Sequence, residues 1–364
     1  MLHKIAFSQI KGNSPQMASR ILDLIGSEQE FFTLSEATLS ARLGLKGRIL
    51  SDDYRRDILR KAQEEIPFVE NNHIRPIYFT DEAYPHRLLE CDDAPTMLFT
   101  LGNADLNATH VISIVGTRNA TAYGINFINH LVDDLASRID SLLIVSGLAM
   151  GCDIAAHRRA LHNSIPTAAV VAHGLDTIYP AEHRNYAADI VRSNGAIVTD
   201  YIHGTRPHRG NFLARNRIVA GLADAAIVAE SAADRGGALH TARLAMLYNR
   251  DVFALPGRTS DHFSGGCNKL IKNNIAHLVE SADDIIRAMN WKAHPAEGLQ
   301  QQLFPELSPT QQAVIDHLRQ HGESTTNALA AATGIAIGQL MALLVELEFQ
   351  GLLLPLPGAR YRLA

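Results

Sequence analysis

Short apolar runs alternate with helical patterns through the middle of the chain, from about residue 109 to 290. The runs are Val111–Val115, Leu142–Val145, Ala168–Val171, Ala196–Val198, Ala225–Ala229 and Val252–Leu255. Near-continuous apolar strands separated by helices are typical of a parallel sheet with both faces covered. The pattern predicts an α/β fold built on an extended, doubly wound, Rossmann-like parallel sheet, with ligands bound at the carboxyl ends of the strands.

The first 75 residues carry helical patterns instead. The segment from Ser14 to Gly26 has a serine cap, Pro15 at the first helical position and glycine at its end, as helices favour. Apolar residues recur at helical spacing again in Phe31–Leu43 and Asp53–Ile66. We therefore expect a small helical, SAM-like module at residues 1–75, ahead of the Rossmann-like domain at 76–290.

The C-terminal part reads as a linker at residues 291–308 followed by a further domain at 309–364. Three helical patterns occupy Thr310–Gln320, Thr325–Thr333 and Ile337–Gln350, and residues 352–363 have the pattern of a short β-hairpin. Three helices and a terminal hairpin predict a winged helix. Its third helix has no basic residue and two glutamates, so we expect either a buried core helix or a protein contact, and no groove binding to duplex DNA.

Bulk composition narrows the function classes. The chain has 364 residues, a formal net charge of −5 and three widely separated cysteines, which argues against a disulfide framework or a cysteine-rich zinc site. No signal-peptide pattern and no apolar run of about 18 residues is present. We expect a cytoplasmic protein with no membrane partner, no metal and no cofactor.

A basic run between Asp200 and Asp224 contrasts with the acidic whole. It contains four arginines, two histidines and no acidic residue, with Phe212 inside it. Arginines near an exposed aromatic side chain suit single-stranded nucleic acid, whose phosphates need cations and whose bases need flat surfaces. The alternative is a solvated charged loop with Phe212 in the core.

Three glycine loops follow predicted strands: Gly116–Arg118, Ser146–Asp153 and Asp234–Thr241. Glycine lets a phosphate approach the backbone at a helix N-terminus. Neither a P-loop nor a GxGxxG motif is present, which disfavours an ATPase or a standard dinucleotide site.

Asp153 and His157 lie four residues apart on one predicted helix. We expect Asp153 to cap that helix and His157 to pack or hydrogen-bond, rather than the two to form a metal or acid/base pair.

Several ordered motifs resemble the DprA/Smf (DNA-processing protein A) family. They are Ser113–Thr121, Val145–His157, Gly174–Pro180, Phe212–Gly221, Gly237–Ala242, Leu255–Gly257 and Asn268–Ile271. The resemblance covers roughly residues 75 to 290 and implies a non-enzymatic protein that binds single-stranded DNA. It also implies a homodimer formed through the Rossmann-like domain, and loading of RecA onto incoming DNA during natural transformation.

The resemblance also implies DNA-binding positions on the glycine loops, the basic run and one later lysine. These are Gly116, Thr117, Arg118, Arg209, Asn211, Phe212, Arg215, Asn216, Arg217, Gly237 and Lys269. Because Arg215 and Arg217 lie on a helical segment, one arginine of this set is expected to form an inward salt bridge.

Two other function classes remain open at this point. Nucleotide phosphoribohydrolases of the LOG type use a similar fold with the motif PGGxGTxxE, but the corresponding stretch here, Asp234–Arg243, lacks the glutamate. A transcription factor is suggested by the winged helix and disfavoured by its acidic third helix.

Overall fold

The computed structural model of the chain describes residues 1–233, 236–294, 307–349 and 352–363. They fall into two units, Met1–Ala296 and Glu297–Ala364. The first unit begins with α1 (Leu2–Ser8), α2 (Pro15–Ile25), α3 (Glu28–Thr33), α4 (Glu36–Leu43) and α5 (Asp52–Asn71). Serine side chains cap four of these helices, α2 to α5, by accepting a backbone N–H in the first turn, which satisfies donors that have no partner within the helix.

The expectation of one helix over Phe31–Leu43 was wrong. Leu34 is extended, which ends α3, and the Ser35 hydroxyl accepts the N–H of Thr38 to start α4. The helix predicted over Asp53–Ile66 ends later than expected, because α5 continues to Asn71 with Pro67 inside it. The Ser14 cap and the Gly26 terminus of α2 are confirmed.

The sheet and its helices complete the first unit. In chain order they are β1 (Arg75–Tyr78), α6 (His86–Leu89), β2 (Met97–Gly102), β3 (His110–Val115), α7 (Ala122–Arg138), β4 (Leu142–Ser146), α8 (Cys152–His162), β5 (Thr167–Val170), α9 (Arg184–Arg192), β6 (Ala196–Thr199), α10 (Arg209–Gly221), β7 (Ala225–Val228), α11 (Gly237–Leu247), β8 (Asp251–Ala254), α12 (Gly265–Lys272), β9 (His277–Leu278) and α13 (Ala282–Ala288).

The strand order β1-β2-β6-β5-β4-β3-β7-β8-β9 places the earliest parallel strand, β3, inside the sheet. Strands β3 to β9 pair in parallel, which confirms the doubly wound prediction. Strands β1 and β2, which the apolar pattern did not predict, add antiparallel pairs beside β6. The chain leaves β3 towards β4 on one side and returns to β7 on the other, so the order reverses there and opens a crevice.

Both faces of the sheet are covered. Alternate side chains of β3 show this, since Val111 belongs to one buried cluster and Ile112 to another. The Val111 cluster also holds Phe7, Phe31 and Ile58 of the N-terminal helices, so these helices share a core with the sheet. Continuous burial on two faces accounts for strands that are apolar at nearly every position.

The second unit is a small winged helix. Its elements are α14 (Pro309–His321), β10 (Glu323–Thr325), α15 (Thr326–Thr333), α16 (Ile337–Phe349), β11 (Leu353–Leu356) and β12 (Arg360–Leu363), with β12 between β10 and β11. In α16, Leu340, Leu344 and Leu347 are buried, while Ile337, Met341 and Val345 are exposed. The third helix is therefore core on one side and apolar surface on the other.

No single helix in the described residues is long and apolar enough to span a membrane. The helices Thr326–Thr333 and Ile337–Glu348 have that length and composition only when taken together, and they are bent by 111°.

Candidate nucleic-acid interface

The loops that follow β3, β4 and β7 meet at the carboxyl edge of the sheet, where the strand order reverses. Between them lies a cleft of about 740 Å³. Its walls come from the first loop (Gly116, Thr117, Arg118), the start of α8, the start of α10 and the start of α11. Ligands of open α/β sheets bind at this point of the topology.

The first loop is held by Glu230, the buried residue two positions beyond the end of β7. Its backbone oxygen accepts the N–H of Thr117 at 2.7 Å, and its carboxylate accepts both the N–H and the hydroxyl of Thr121, at 2.7 and 2.6 Å. A Cβ on Gly116 would overlap Sγ of Cys152, so only glycine lets the loop lie this close to α8. The result is a fixed loop from which the exposed Arg118 projects.

The start of α10 supplies the aromatic part of the wall. The His208 side chain caps the helix by accepting the N–H of Gly210 at 3.1 Å. Phe212 follows in the first turn, where the Arg118 guanidinium lies over its ring at 5.5 Å and the Tyr179 ring lies 5.5 Å away. Phe212 is half-buried and lines the cleft, so the alternative of a core phenylalanine does not hold.

Tyr179 is positioned by His173, which follows β5. Burial lowers the pKa of His173, and its neutral imidazole accepts the N–H of Tyr179 through Nε2 at 3.3 Å while Nδ1 faces the oxygen of Gly174 at 2.9 Å. Tyr179 remains 44% exposed. Together with Phe212 it offers two rings at the cleft mouth, a suitable surface for stacking bases.

Arg215 forms part of the cleft floor. It is only 5% exposed and donates to the backbone oxygen of Val170. A Cβ on Gly147 would overlap its guanidinium, so the second glycine loop is shaped around this arginine. Burial lowers the pKa of Arg215, and the nearby Asp153 opposes that shift.

Asp153 and His157 make separate contacts on α8 and do not form a shared metal site or acid/base pair. Gly151, not Asp153, is the N-cap residue of α8, so the capping expectation was wrong by two positions. The Asp153 carboxyl lies in the first turn, where burial raises its pKa against the opposing charge of Arg215. The expectation for His157 is confirmed, since it is fully buried and its Nδ1 lies 2.7 Å from the Thr167 hydroxyl.

The other predicted positions divide between the cleft and its surroundings. Asn216 lines the cleft and donates to the oxygen of Gly237 at 3.3 Å. Arg217 forms the inward salt bridge, with Asp200, and also donates to the oxygen of Asp93. Asn211 and the exposed Lys269 of α12 do not line the cleft. Eight of the predicted positions line it: Gly116, Thr117, Arg118, Arg209, Phe212, Arg215, Asn216 and Gly237.

The electrostatics of the cleft favour an anion. Among the described residues three arginines line it, Arg118, Arg209 and Arg215, against one carboxyl, that of the buried Asp153. The N-termini of α8, α10 and α11 also open towards it, and the aligned peptide dipoles of each helix place partial positive charge there. No group of histidine, cysteine and acidic side chains in the described residues could hold a metal ion.

Sequence reasoning missed several cleft residues. Tyr179, Asp153 and Leu213 line it without having been assigned as DNA-binding positions. Tyr179 had a recognisable signal, because it stands a few residues after the β5 strand within one of the quoted motifs. Asp234 and Arg235 of the third glycine loop lie outside the described residues.

A doubly wound α/β sheet with a basic, aromatic-lined cleft at its switch point is typical of proteins that bind phosphate-bearing ligands. Comparison with known sequences narrows the class. Residues 75–290 match the family model "DNA recombination-mediator protein A", and residues 299–359 match a "DprA winged helix domain". The chain belongs to the DNA recombination-mediator protein A family, also called DprA/Smf.

Individual relatives agree with this assignment. The Protein Smf of Synechocystis is 30% identical over 98% of this chain and 97% of its own length. The DNA processing protein DprA of Streptococcus pneumoniae is 41% identical over 57% of this chain and 71% of its own.

Two solved structures share the fold. The X-ray structure of S. pneumoniae DprA has a TM-score of 0.65 at 30% identity and covers 79% of this chain and 97% of that one. The Helicobacter pylori DprA structure, described as showing a single-stranded DNA binding mode, has a TM-score of 0.53 at 31% identity and covers 60% of this chain and 95% of that one.

Proposed function

We propose that this protein binds single-stranded DNA in the cleft at the carboxyl edge of its sheet. The observation that carries the proposal is the pairing of Arg118 with Phe212, beside Tyr179 and between three helix N-termini. A phosphate would be held by Arg118 and Arg209 and attracted by the helix dipoles, and a neighbouring base would stack on a ring, for about 1–3 kcal/mol per base.

The predicted arginines divide into two roles in this proposal. Arg118 and Arg209 are exposed and contact the strand. Arg215 and Arg217 shape the cleft, because the first is committed to Val170 and the second to Asp200. Thr117 and Asn216 line the cleft close to the phosphate path, and Asn211 and Lys269 extend that path beyond it.

The wider role we propose is that of a non-catalytic mediator that loads RecA onto incoming single strands during natural transformation. The family description as a recombination mediator supports this, as does a cleft suited to a strand. We further propose a homodimer formed through the Rossmann-like domain, in the cytoplasm. Recruitment of RecA to oligonucleotides covered by single-strand-binding protein, measured with and without this protein, tests the loading role.

Binding is tested by titrating a fluorescent single-stranded oligonucleotide at several salt concentrations. We expect Arg118→Ala and Arg209→Ala each to weaken binding about tenfold and to reduce the slope of log K against log salt by about 0.7 per lost phosphate contact. Arg20→Ala is the matched control, since it removes one exposed positive charge from α2, far along the chain from the cleft loops. Unchanged affinity and slope in both cleft variants would refute the assignment.

The rival function, nucleotide hydrolysis, is tested on the same protein. Among the described residues Asp153 supplies the carboxyl that lines the cleft, so it is the described acid that a hydrolase could use there. We expect no release of base or phosphate from nucleoside monophosphates. Steady turnover that disappears in Asp153→Asn would make the protein an enzyme and overturn the mediator role.

A further inference from the structure

A buried carboxylate joins the N-terminal helices to the loop that leads into the cleft. Glu65 of α5 is 2% exposed. Its Oε2 accepts the backbone N–H of His203 at 2.9 Å and also pairs with Nδ1 of the same residue. Phe68, three residues further along α5, stacks on the His203 ring at 4.9 Å and 24°. Burying a carboxylate is costly unless it is paired and hydrogen-bonded, and here both partners belong to one residue.

The residues after His203 are held just as closely. The Asp176 carboxylate accepts the N–H of Gly204 at 2.8 Å, and the Thr205 oxygen accepts the N–H of Gly174 at 3.0 Å. Three consecutive residues, 203 to 205, are therefore fixed by groups from α5 and from the segment after β5. After Arg206 come Pro207, His208 and Arg209, which line the cleft, and His208 is the N-cap of α10.

We propose that Glu65 is a positioning residue for the strand-binding cleft, acting through His203 on Arg209 and on the start of α10. We call the pair the Glu65–His203 latch. The inference rests on the proposed function, because it assigns to the N-terminal helices the task of holding the basic loop against the cleft. The same oxygen holds both the ring and the backbone of His203, so the latch fixes the path of the loop as well as its contact with α5.

The test compares Glu65→Ala with Glu65→Gln in the full chain. Glutamine keeps an oxygen that accepts both His203 donors, whereas alanine removes it. We expect Glu65→Ala to bind a single-stranded oligonucleotide about five- to tenfold more weakly, with a salt slope smaller by about 0.7, as if one phosphate contact were lost. Glu65→Gln should stay within about twofold of the parent chain with an unchanged slope.

Lys4→Ala is the matched control, because the Lys4–Asp81 ion pair also joins an N-terminal helix to the segment after β1, away from the loop. It should leave affinity and slope unchanged. If Glu65→Ala does not fold, the double variant Glu65→Leu/His203→Leu removes the latch without leaving a buried unpaired charge, and the same loss is expected. A folded latch variant with parental affinity and slope, or an equal loss in Lys4→Ala, would overturn the proposal.

Hydrogen exchange without DNA separates this inference from the proposed function. Amides of residues 203–210 should exchange faster in Glu65→Ala while those of the sheet do not change. Unchanged protection in the loop would refute the latch whatever happens to DNA affinity. A parent chain that fails to bind single strands, with the loop still released in Glu65→Ala, would refute the proposed function and leave the latch as a purely structural device.

Discussion

The cleft of the first unit and the winged helix of the second are both of a type that binds nucleic acid in many proteins, but here they present different side chains. In the cleft, exposed arginines, two aromatic rings and three helix N-termini come together. In the winged helix, α16 exposes Ile337, Met341 and Val345, and Glu346 and Glu348 lie on its surface. A fold places side chains, but the side chains decide whether a phosphate is attracted or repelled.

The cations of the winged helix do not alter this contrast. Its described residues include three arginines, Arg319 on α14 and Arg360 and Arg362 on β12. Arg319 is paired with Asp316 at 3.6 Å and Arg360 with Glu323 at 2.8 Å. Glutamates on the helix that would enter a groove face phosphates of the same sign, which is unfavourable. The exposed side of α16 carries apolar residues and glutamates. It therefore lacks the basic residues of a groove-binding helix and the mainly polar surface of an ordinary solvent-exposed helix.

The largest expected effect comes from separating the two units. A chain ending at residue 296 should keep single-strand affinity within about threefold, while a fragment of residues 307–364 should bind at least about 100-fold more weakly and show no duplex preference. The cut belongs after 296 because Trp291 packs on His110 at 4.7 Å and His294 bonds Asp140 at 2.7 Å. Fluorescence anisotropy with single- and double-stranded oligonucleotides measures both. Tight duplex binding by the fragment would reverse the comparison.

A pair of glycine substitutions compares the two regions at the level of the backbone. Gly151 has φ +77°, and a Cβ there would overlap the oxygen of Thr117 in the first cleft loop. Gly334 has φ +71° at the end of α15 with open space around it. We expect Gly151→Ala to cost about 3 kcal/mol and about tenfold in DNA affinity, and Gly334→Ala to cost about 1 kcal/mol with affinity unchanged.

Thermal and denaturant unfolding give the stabilities for this pair, and the oligonucleotide titration gives the affinities. Equal costs at the two glycines would mean that the close approach of the loops around Gly151 is not needed for the cleft.

The last prediction concerns pH and the free energy of unfolding, not DNA affinity. Complete burial lowers the pKa of His157 to about 3 from an ordinary 6.5. The unfolded chain therefore takes up a proton between about pH 6.5 and 3 that the folded chain does not. The stability is complete above pH 6.5 and falls with decreasing pH, by up to about 1.4 kcal/mol per pH unit. His157→Gln should flatten this dependence of the unfolding free energy in the 1–296 chain.

The winged-helix fragment provides the comparison for that measurement. No histidine among its described residues is buried, so its free energy of unfolding over the same pH range serves as the reference. A His157→Gln variant with the parental pH dependence would show that another group controls the acid sensitivity.

The sequence predicted well where a local pattern carries the information. The six apolar runs became strands because both faces of a parallel sheet are buried, and Ser14, Pro15 and Gly26 marked α2 correctly. The break between α3 and α4 was missed, although the Ser35 cap that starts α4 is itself a local signal. Strands β1 and β2 were missed for different reasons. β1 has four residues and contains Pro76, which gives a weak strand signal, whereas β2 (Met97–Gly102) is a mostly apolar run that the pattern could have indicated.

The site shows the same limit. The motifs correctly indicated most of the residues that line the cleft. They did not distinguish Arg118, which is exposed, from Arg215, which is buried against Gly147. That difference depends on how a loop after β4 packs against a helix after β6. Similarly, nothing local in the sequence indicates that Glu65 lies against His203, 138 residues further along.

The position of β3 inside the sheet has a consequence for how the protein acquires its activity during synthesis. The cleft draws its walls from residues between Val115 and Phe263, on loops whose strands lie side by side only after the chain has returned to the other flank of β3. Such distant pairings form late in folding, because the entropy cost of closing a long loop comes before the stabilisation that its contacts provide. A ribosome-bound chain that has emerged only as far as β6 has six of the nine strands but lacks α10, β7 and α11. The cleft that we propose for DNA binding is therefore incomplete until these later elements have emerged.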